Sequence, residues 1–366
     1  MKVAVIFGTR PEAIKMAPVV RALKAEPRIQ TSVWSTGQHR EMLAQVLDLF
    51  RIDTDRDLGV MQPGQTLNGL FARVLARLEE VFDEERPDRV LVHGDTTTAA
   101  AAATAAFHRQ IPIGHVEAGL RSGHLDKPWP EEFNRRLVDV VADHLYAPTE
   151  GARRHLLNEN LGQKRIVVTG NTVVDALLHV NGRIEAEPDL AGDLAARFPQ
   201  LDASKRLVLV TGHRRENFGE GFLNICRALH DISDEEDVQV LYPVHLNPNV
   251  RGPVMSLLAD RPNISLIEPV DYLSFVYLMR RSSVILTDSG GVQEEAPSLG
   301  KPVLVMRDVT ERPEAVEAGV VRLVGTDPGN IVSSVRAALA ASPVSEIVNP
   351  YGDGRAAERI VAEIVG

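Results

Sequence analysis

Short apolar runs recur along this chain between longer amphipathic stretches, and that rhythm limits the fold more than any other feature. The runs fall in two series: residues 3–7, 31–35, 90–93, 113–116, 144–147 and 166–169, then 207–211, 238–242, 264–267, 284–287, 303–305 and 321–324. Most lack the alternation of a half-exposed strand. A strand apolar on both faces must be covered on both, which points to parallel sheets flanked by helices. The segments between, such as 13–24, 67–84 and 330–341, have helical length and composition, as does the Ala-rich 97–106. Repeated strand-helix-strand order predicts α/β doubly wound sheets.

A chain of 366 residues accommodates two domains, and two series of strands predict two Rossmann-like ones. Gly182, Pro188, Gly192 and Pro199, set among charged residues in 178–205, mark the neighbourhood of a junction. The amphipathic segment 355–365 follows the turn-like Asn349-Pro350-Tyr351-Gly352-Asp353-Gly354, and periodicity leaves open which domain it joins. The expected division is an N-terminal domain 1–172, with 355–366 packing back on it, and a C-terminal domain 173–354.

Charge narrows the partners. Forty basic against 50 acidic residues give a net charge of −10. Such a surface repels nucleic acid and anionic lipid, so neither is an expected partner, and a polyanionic ligand must meet a local cluster of donors. No apolar run reaches membrane length, and the first is too short for a signal peptide. The single Cys226 excludes an internal disulfide and a thiolate cluster, and reads as a small buried hydrophobe. The expected compartment is the cytoplasm. No H-x-x-x-H or H-E-x-x-H occurs; the nearest pair is His108 and His115, so no metal is expected.

In an open parallel sheet, ligands bind at the carboxyl ends of the strands, so the polar residues that follow each strand carry the information. Gly8-Thr9-Arg10-Pro11-Glu12, with Lys15 a turn later, offers helix-start N–H groups and two cations to an anion. It is not the G-x-G-x-x-G of a dinucleotide site. Asp95 follows the strand at 90–93 and Glu117 the strand at 113–116. Glu131 and Glu132 follow Pro130 at a helix start. Taken singly, Asp95 could be an N-cap, and Glu131 and Glu132 could complement a helix dipole. Converging in one cleft, like charges would raise at least one pKa into the range of a general acid.

The second series repeats the logic, with His213 in Gly212-His213-Arg214-Arg215-Glu216-Asn217 and His245 in Pro243-Val244-His245-Leu246-Asn247. In Thr287-Asp288-Ser289-Gly290-Gly291-Val292-Gln293-Glu294-Glu295 a strand end, small residues and a helix start make a phosphate cradle without the G-K-[ST] of an ATPase loop. Glu295, one turn in, is placed to accept the two hydroxyls of a ribose. Arg312 lies close after in sequence.

Taken together in this order, these motifs, with Thr36-Gly37-Gln38-His39, His93-Gly94-Asp95-Thr96-Thr97, His115-Val116-Glu117-Ala118-Gly119-Leu120-Arg121, Pro130-Glu131-Glu132-Phe133-Asn134-Arg135 and Thr169-Gly170-Asn171, resemble the bacterial non-hydrolysing UDP-N-acetylglucosamine 2-epimerases. The Ser289 loop by itself also fits many glycosyltransferases. The resemblance implies two Rossmann-like domains facing across a cleft (the GT-B arrangement). It implies interconversion of UDP-N-acetylglucosamine and UDP-N-acetylmannosamine by elimination of UDP to 2-acetamidoglucal and re-addition, without NAD or metal. It further implies Asp95, Glu117, Glu131 and His213 as catalytic residues. For UDP it implies Arg10, Lys15, His213, Phe275, Ser289, Gly290, Gly291, Glu295 and Arg312. A second, regulatory site for the same UDP-sugar would use Gln38, His39, Gln65, Glu132, Arg135 and His245. A homodimer and a role in cell-surface polysaccharide biosynthesis are further family expectations. The alternatives are a hydrolysing UDP-N-acetylglucosamine 2-epimerase and a GT-B glycosyltransferase using a UDP-sugar.

Overall fold

Each of the twelve apolar runs is a strand to within a residue at either end. The computed structural model describes residues 1–37, 40–62, 64–341 and 348–366, and for 40–42 the backbone alone. The chain divides into two compact units, Met1–Ala176 with Tyr351–Gly366, and Leu177–Pro350.

The first unit contains β1 (Lys2–Phe7), α1 (Arg10–Ala25), β2 (Gln30–Ser35), α2 (Arg40–Phe50), β3 (Arg56–Asp57), α3 (Leu67–Glu85), β4 (Arg89–His93), α4 (Thr97–His108), β5 (Ile113–Val116), α5 (Glu131–Val141), β6 (His144–Ala147), α6 (Glu150–Asn158) and β7 (Arg165–Val168). Its strands form one parallel sheet in the order β3-β2-β1-β4-β5-β6-β7. The pattern reading missed β3: two polar residues at the sheet edge carry no hydrophobic period.

Helix α7 (Thr172–Ala186) carries the chain from one unit to the other, the division falling between Ala176 and Leu177. The second unit continues with α8 (Pro188–Ala196), β8 (Arg206–Thr211), α9 (Glu220–Ile232), β9 (Val238–Pro243), α10 (Pro248–Leu258), β10 (Ile264–Ile267), α11 (Tyr272–Arg281), β11 (Val284–Thr287), α12 (Gly290–Glu295), β12 (Val303–Val305), α13 (Pro313–Glu317), β13 (Val321–Leu323) and α14 (Pro328–Ala340). Its parallel sheet runs β10-β9-β8-β11-β12-β13. Helix α15 (Ala356–Val365) belongs to the first unit and packs on α1. The Gly- and Pro-bearing stretch 178–205 is mostly helical, not a loop. Pro188 takes the first position of α8, where its missing N–H costs nothing, and Gly182 and Gly192 sit in open space.

Local sequence explains the helices that frame the strand ends. Thr66 caps α3, whose Leu70, Val74, Leu78 and Val81 recur every three or four residues and are buried, each contributing about 1.5–3 kcal/mol. In α4 the run Ala99–Ala103 is fully buried, and small side chains let this helix lie close between the sheet, α3 and α5. Each unit has its own core, with Trp34 and Phe82 in the first and Phe222 and Tyr242 in the second.

Candidate active site

Strand order reverses between β1 and β4 in the first unit and between β8 and β11 in the second. These are the switch points at which loops from neighbouring strands diverge and leave room for a ligand.

In the first unit, α1 starts with a capping box. Glu12 Oε2 accepts from Thr9 N at 2.7 Å and Gly8 N at 3.0 Å, and Glu12 N donates to Thr9 Oγ1. Glu12 Oε1 accepts from Thr96 Oγ1 at 2.7 Å, so one buried carboxylate ties the β1 loop to the β4 loop. This corrects the expectation of free N–H groups after β1, since Glu12 consumes those of Gly8 and Thr9. Arg10 makes no side-chain hydrogen bond or ion pair among the described residues and remains the cation available there. A Cβ on Gly8 would stand 2.0 Å from Thr36 Oγ1, so only glycine fits.

Glu117 follows β5 with φ of 68°, a left-handed conformation that costs a side chain roughly 1–3 kcal/mol and tends to persist at functional sites. Its Oε2 accepts from Lys15 Nζ and, at 2.9 Å, from Asn171 Nδ2, and lies 3.8 Å from His93 Nε2. Its Oε1 makes no hydrogen bond among the described residues and approaches the backbone of Gly94. Burial opposes ionisation, but Lys15 and His93 outweigh it and hold the carboxyl well below the usual carboxylate range. Of the three acids expected to converge, Glu117 is thus not one raised by like charge: the ammonium of Lys15 is bonded to it. Lys15, expected at UDP, is placed on Glu117.

Asp95 follows β4. The cap of α4 is its neighbour Thr96, which accepts from Ala99 N, so Asp95 is spared that task. Its carboxylate pairs with Arg135 of α5, and Asn134 Nδ2 donates to its carbonyl at 2.9 Å. Arg135 also pairs with Glu132, which is wholly buried and accepts from Ser122 N at 3.1 Å and Arg136 Nε at 3.0 Å. Both oxygens of Glu132 are thus engaged, and it acts on Asp95 through Arg135. Glu131, first residue of α5, makes no side-chain hydrogen bond or ion pair among the described residues. Beneath these groups both nitrogens of His115 are hydrogen-bonded, Nδ1 with Asp139 Oδ1 at 2.6 Å and Nε2 as donor to Gly94 O at 2.8 Å. Asp139 in turn pairs with Arg121 at 2.8 Å.

In the second unit the organising residue is Asp288, fully buried after β11. It accepts from His213 N at 2.9 Å, Arg214 N at 2.9 Å and Asn217 Nδ2 at 3.2 Å, fastening the β8 loop to the Ser289 loop. Ser289 precedes α12, and the N–H groups of Gly290 and Gly291 find no acceptor among the described residues. The guanidinium groups of Arg214 and Arg312 and the carboxylate of Glu311 approach Gly290. Arg214 pairs with Glu311 at 3.1 Å, and Arg312 with the buried Glu294. Burial pushes the half-exposed His213 imidazole below its ordinary pKa; Asp288 opposes this, while Arg214 and His245 add to it. Glu295 is buried and accepts from Tyr272 Oη at 2.9 Å; Phe275 lies one turn further along α11, half-buried.

Of the residues expected at a regulatory site, Gln38 and His39 lie outside the described residues. Gln65, just before α3, bonds with Arg73 and with Gln62 N. Glu132 and Arg135 adjoin Asp95, and His245 stacks on His213. Sequence reasoning passed over Asp288, Arg214, His93 and Asn171. Asp288 stood in a quoted motif, and its signal was a carboxylate at a strand end facing a second strand-end loop. One trio among the described residues has cation-ligand spacing, the exposed His230 and Asp231 in the last turn of α9 with Asp234 just beyond it, at the opposite end of that helix from the β8 loop; Asp234 already pairs with Arg261. Cys226 is buried, which pushes its thiol up to about 12. No helix among the described residues is long and apolar enough to cross a membrane.

A family model described as UDP-N-acetylglucosamine 2-epimerase matches residues 21–365. The chain is 56% identical over 366 residues to the UDP-N-acetylglucosamine 2-epimerase of Escherichia coli strain K12, covering 99% of this chain and 97% of that one. It superposes on the crystal structure of the UDP-GlcNAc 2-epimerase from Neisseria meningitidis bound to UDP-GlcNAc with a TM-score of 0.90, at 47% identity over 100% of both chains. A Methanocaldococcus jannaschii UDP-GlcNAc 2-epimerase, in complex with UDP-GlcNAc and UDP, matches with a TM-score of 0.81 at 35% identity, over 100% of this chain and 99% of that one.

Proposed function

The chain belongs to the UDP-N-acetylglucosamine 2-epimerase family, and from that premise we propose that it interconverts UDP-N-acetylglucosamine and UDP-N-acetylmannosamine by proton transfer at C2. The C2 hydrogen is feebly acidic, so its removal accompanies or follows departure of UDP. The C1–O bond breaks with its electron pair going to the diphosphate, a proton leaves C2, and a C1=C2 double bond forms. Return of a proton to the opposite face and re-addition of UDP complete the exchange. The observation that carries this reading is Glu117: a buried carboxylate held ionised, with Oε2 bound by Lys15 and Asn171 and Oε1 without a hydrogen-bond partner among the described residues. Asp95 and Glu131 are the other acids.

The Ser289 loop, with the N–H groups of Gly290 and Gly291, Arg10, His213 and Arg312, stabilises the leaving diphosphate. Glu295 takes the ribose hydroxyls and Phe275 packs on the nucleoside. Proton transfer needs no hydride acceptor, and neither first strand leads into G-x-G-x-x-G, so neither NAD nor a metal is assigned a part. A cytoplasmic location fits a chain whose one cysteine is a buried thiol. Product would pass to the synthesis of cell-surface polysaccharide.

Two finer points join the proposal. The same UDP-sugar acts as activator through Arg135 and His245, which touch Asp95 and His213 respectively; a hyperbolic rate with UDP-N-acetylmannosamine alone would count against it. Second, the enzyme is a homodimer. Phe133 and Val140 of α5 and Phe107 at the end of α4 are exposed apolar groups that a second copy would cover, as light scattering would detect.

The deciding experiment is a proton NMR time course of UDP-N-acetylglucosamine in D2O. Deuterium should enter C2 with UDP still attached at equilibrium. Accumulating free sugar would instead mark a hydrolysing enzyme, and no exchange would favour a glycosyltransferase. Asp95→Asn should abolish turnover while leaving UDP binding largely intact.

A further inference from the structure

Asn171 has no part in the chemistry above, yet it touches Glu117. Its Nδ2 donates to Glu117 Oε2 at 2.9 Å, and its Oδ1 accepts from Val173 N at 3.0 Å at the start of α7. The amide orientation is fixed by chemistry, since a flip would set its oxygen against a carboxylate and its NH2 against an N–H. Its backbone is held as firmly: Asn171 N donates to Tyr351 O at 2.6 Å, and Arg359 Nη1 to Thr169 O at 3.0 Å. A Cβ on Gly170, at φ of 91°, would stand 3.4 Å from Gly352 Cα, so these two backbone segments run in contact. They flank the points at which the chain passes between its two units, after Ala176 and before Tyr351.

The three groups near Glu117 differ in what they fix. Lys15 supplies a charge on a flexible stem, which holds the carboxylate ionised without setting its direction. His93 Nε2, at 3.8 Å, is too far to bond and has no other partner among the described residues. Only Asn171 offers a planar donor bonded at both ends. We propose that Asn171 is a positioning residue for the epimerisation, holding Glu117 Oε2 so that Oε1 is the oxygen that exchanges a proton with C2. This rests on the reading of Glu117 as a catalytic acid or base. The step itself is unchanged: the proton passes between C2 and an Oε1 lone pair, and the C2 electron pair forms the C1=C2 bond as the C1–O bond breaks.

Two variants of the full-length protein test it. Asn171→Ser keeps an oxygen able to cap α7 but is too short to reach Glu117. Asn171→Asp keeps the cap oxygen and replaces the donor by a second carboxylate. For Asn171→Ser we expect kcat to fall about ten- to a hundredfold, with KM and the calorimetric Kd for UDP changed less than about threefold. Deprived of a donor, and left with Lys15 and His93 alone, Glu117 should protonate more readily, and the acid limb of kcat should move to higher pH. Asn171→Asp should move the limb further and lose more activity. Wild-type kcat and acid limb in Asn171→Ser would overturn the proposal, and so would a loss of kcat in both variants that merely follows their melting temperatures. Should the serine variant not fold, the near-isosteric aspartate variant decides by the same limb. Absence of C2 deuteration by the wild-type enzyme would overturn the epimerase reading itself, a result distinct from any variant's behaviour.

Discussion

The imidazole of His213 lies over that of His245, with ring centroids 5.4 Å apart and planes inclined by 19°. Two rings in this contact cannot both carry a proton cheaply, and His213 is already pushed below its ordinary pKa by burial, with Arg214 and His245 adding to it. His213 is therefore expected to titrate below about 6.5. Replacing His245 by alanine removes one of the groups that lower the His213 pKa and exposes the ring, so the His213 titration should move upward. Imidazole resonances followed by NMR from pH 4 to 8 check this; an unmoved midpoint would mean that the stack carries no coupling.

A second expectation concerns Asp139, fully buried and bonded to His115 Nδ1, Arg121 and Gly119 N. Burial raises the cost of its charge, but His115 and Arg121 outweigh it and lower its pKa. A depressed carboxylate contributes stability that is present above the unfolded value and lost as pH falls through the folded one. Asp139→Ala leaves His115 buried with an unmet nitrogen, and should cost about 3–5 kcal/mol in urea unfolding at pH 7. The gap to wild type should narrow below about pH 4. Because His115 also holds Gly94 O, next to Asp95, turnover should fall with it.

These networks show where sequence reading stops. Apolar runs and the helices between them were legible because burial on both faces leaves a continuous mark on the chain. β3 left none, being two edge residues, and the passage between units lies inside a helix, where no turn residue signals it. At the site, strand-end position singled out Asp95, Glu117 and His213, since topology alone delivers the strand ends. Their partners were another matter. Lys15 and Glu117 are 102 residues apart, and Asp288 and His213 are 75 apart. Such pairings depend on side-chain reach in the folded unit, and so crowding alone does not tell which of the acids carries a cation beside it.

The third expectation is a substitution whose effect on stability changes with pH. Asp175 caps α15 across the chain, accepting from Ala356 N at 3.2 Å and Ala357 N at 2.8 Å. Burial pushes its carboxyl up to about 6 despite those donors. Its folded pKa exceeds the unfolded one, so the stability it contributes is full below the unfolded value and lost as pH rises through about 6. Asp175→Asn cannot ionise, but it sets its NH2 against one of the two N–H groups that the carboxylate receives, a cost independent of pH. Relative to wild type it should therefore gain roughly 1–3 kcal/mol between pH 4 and pH 7. Chemical denaturation at the two pH values decides; an equal difference from wild type at both would remove the ionisation argument.

The last expectation separates binding from proton transfer. Asp288 belongs to no step of the chemistry, yet it receives the N–H groups of both His213 and Arg214 and the amide of Asn217. Asp288→Asn keeps the shape and turns one acceptor into a donor facing donors, in a position with no access to water. One unmet buried donor costs about 1–3 kcal/mol, paid by the loop that carries His213. The Kd for UDP should therefore rise about five- to a hundredfold, as calorimetry would read. The acid limb of kcat should stay where it is, because Glu117, Lys15 and Asn171 belong to the other unit. A shift of that limb in Asp288→Asn, or unchanged UDP affinity, would show that the β8 loop is fixed by something other than this carboxylate.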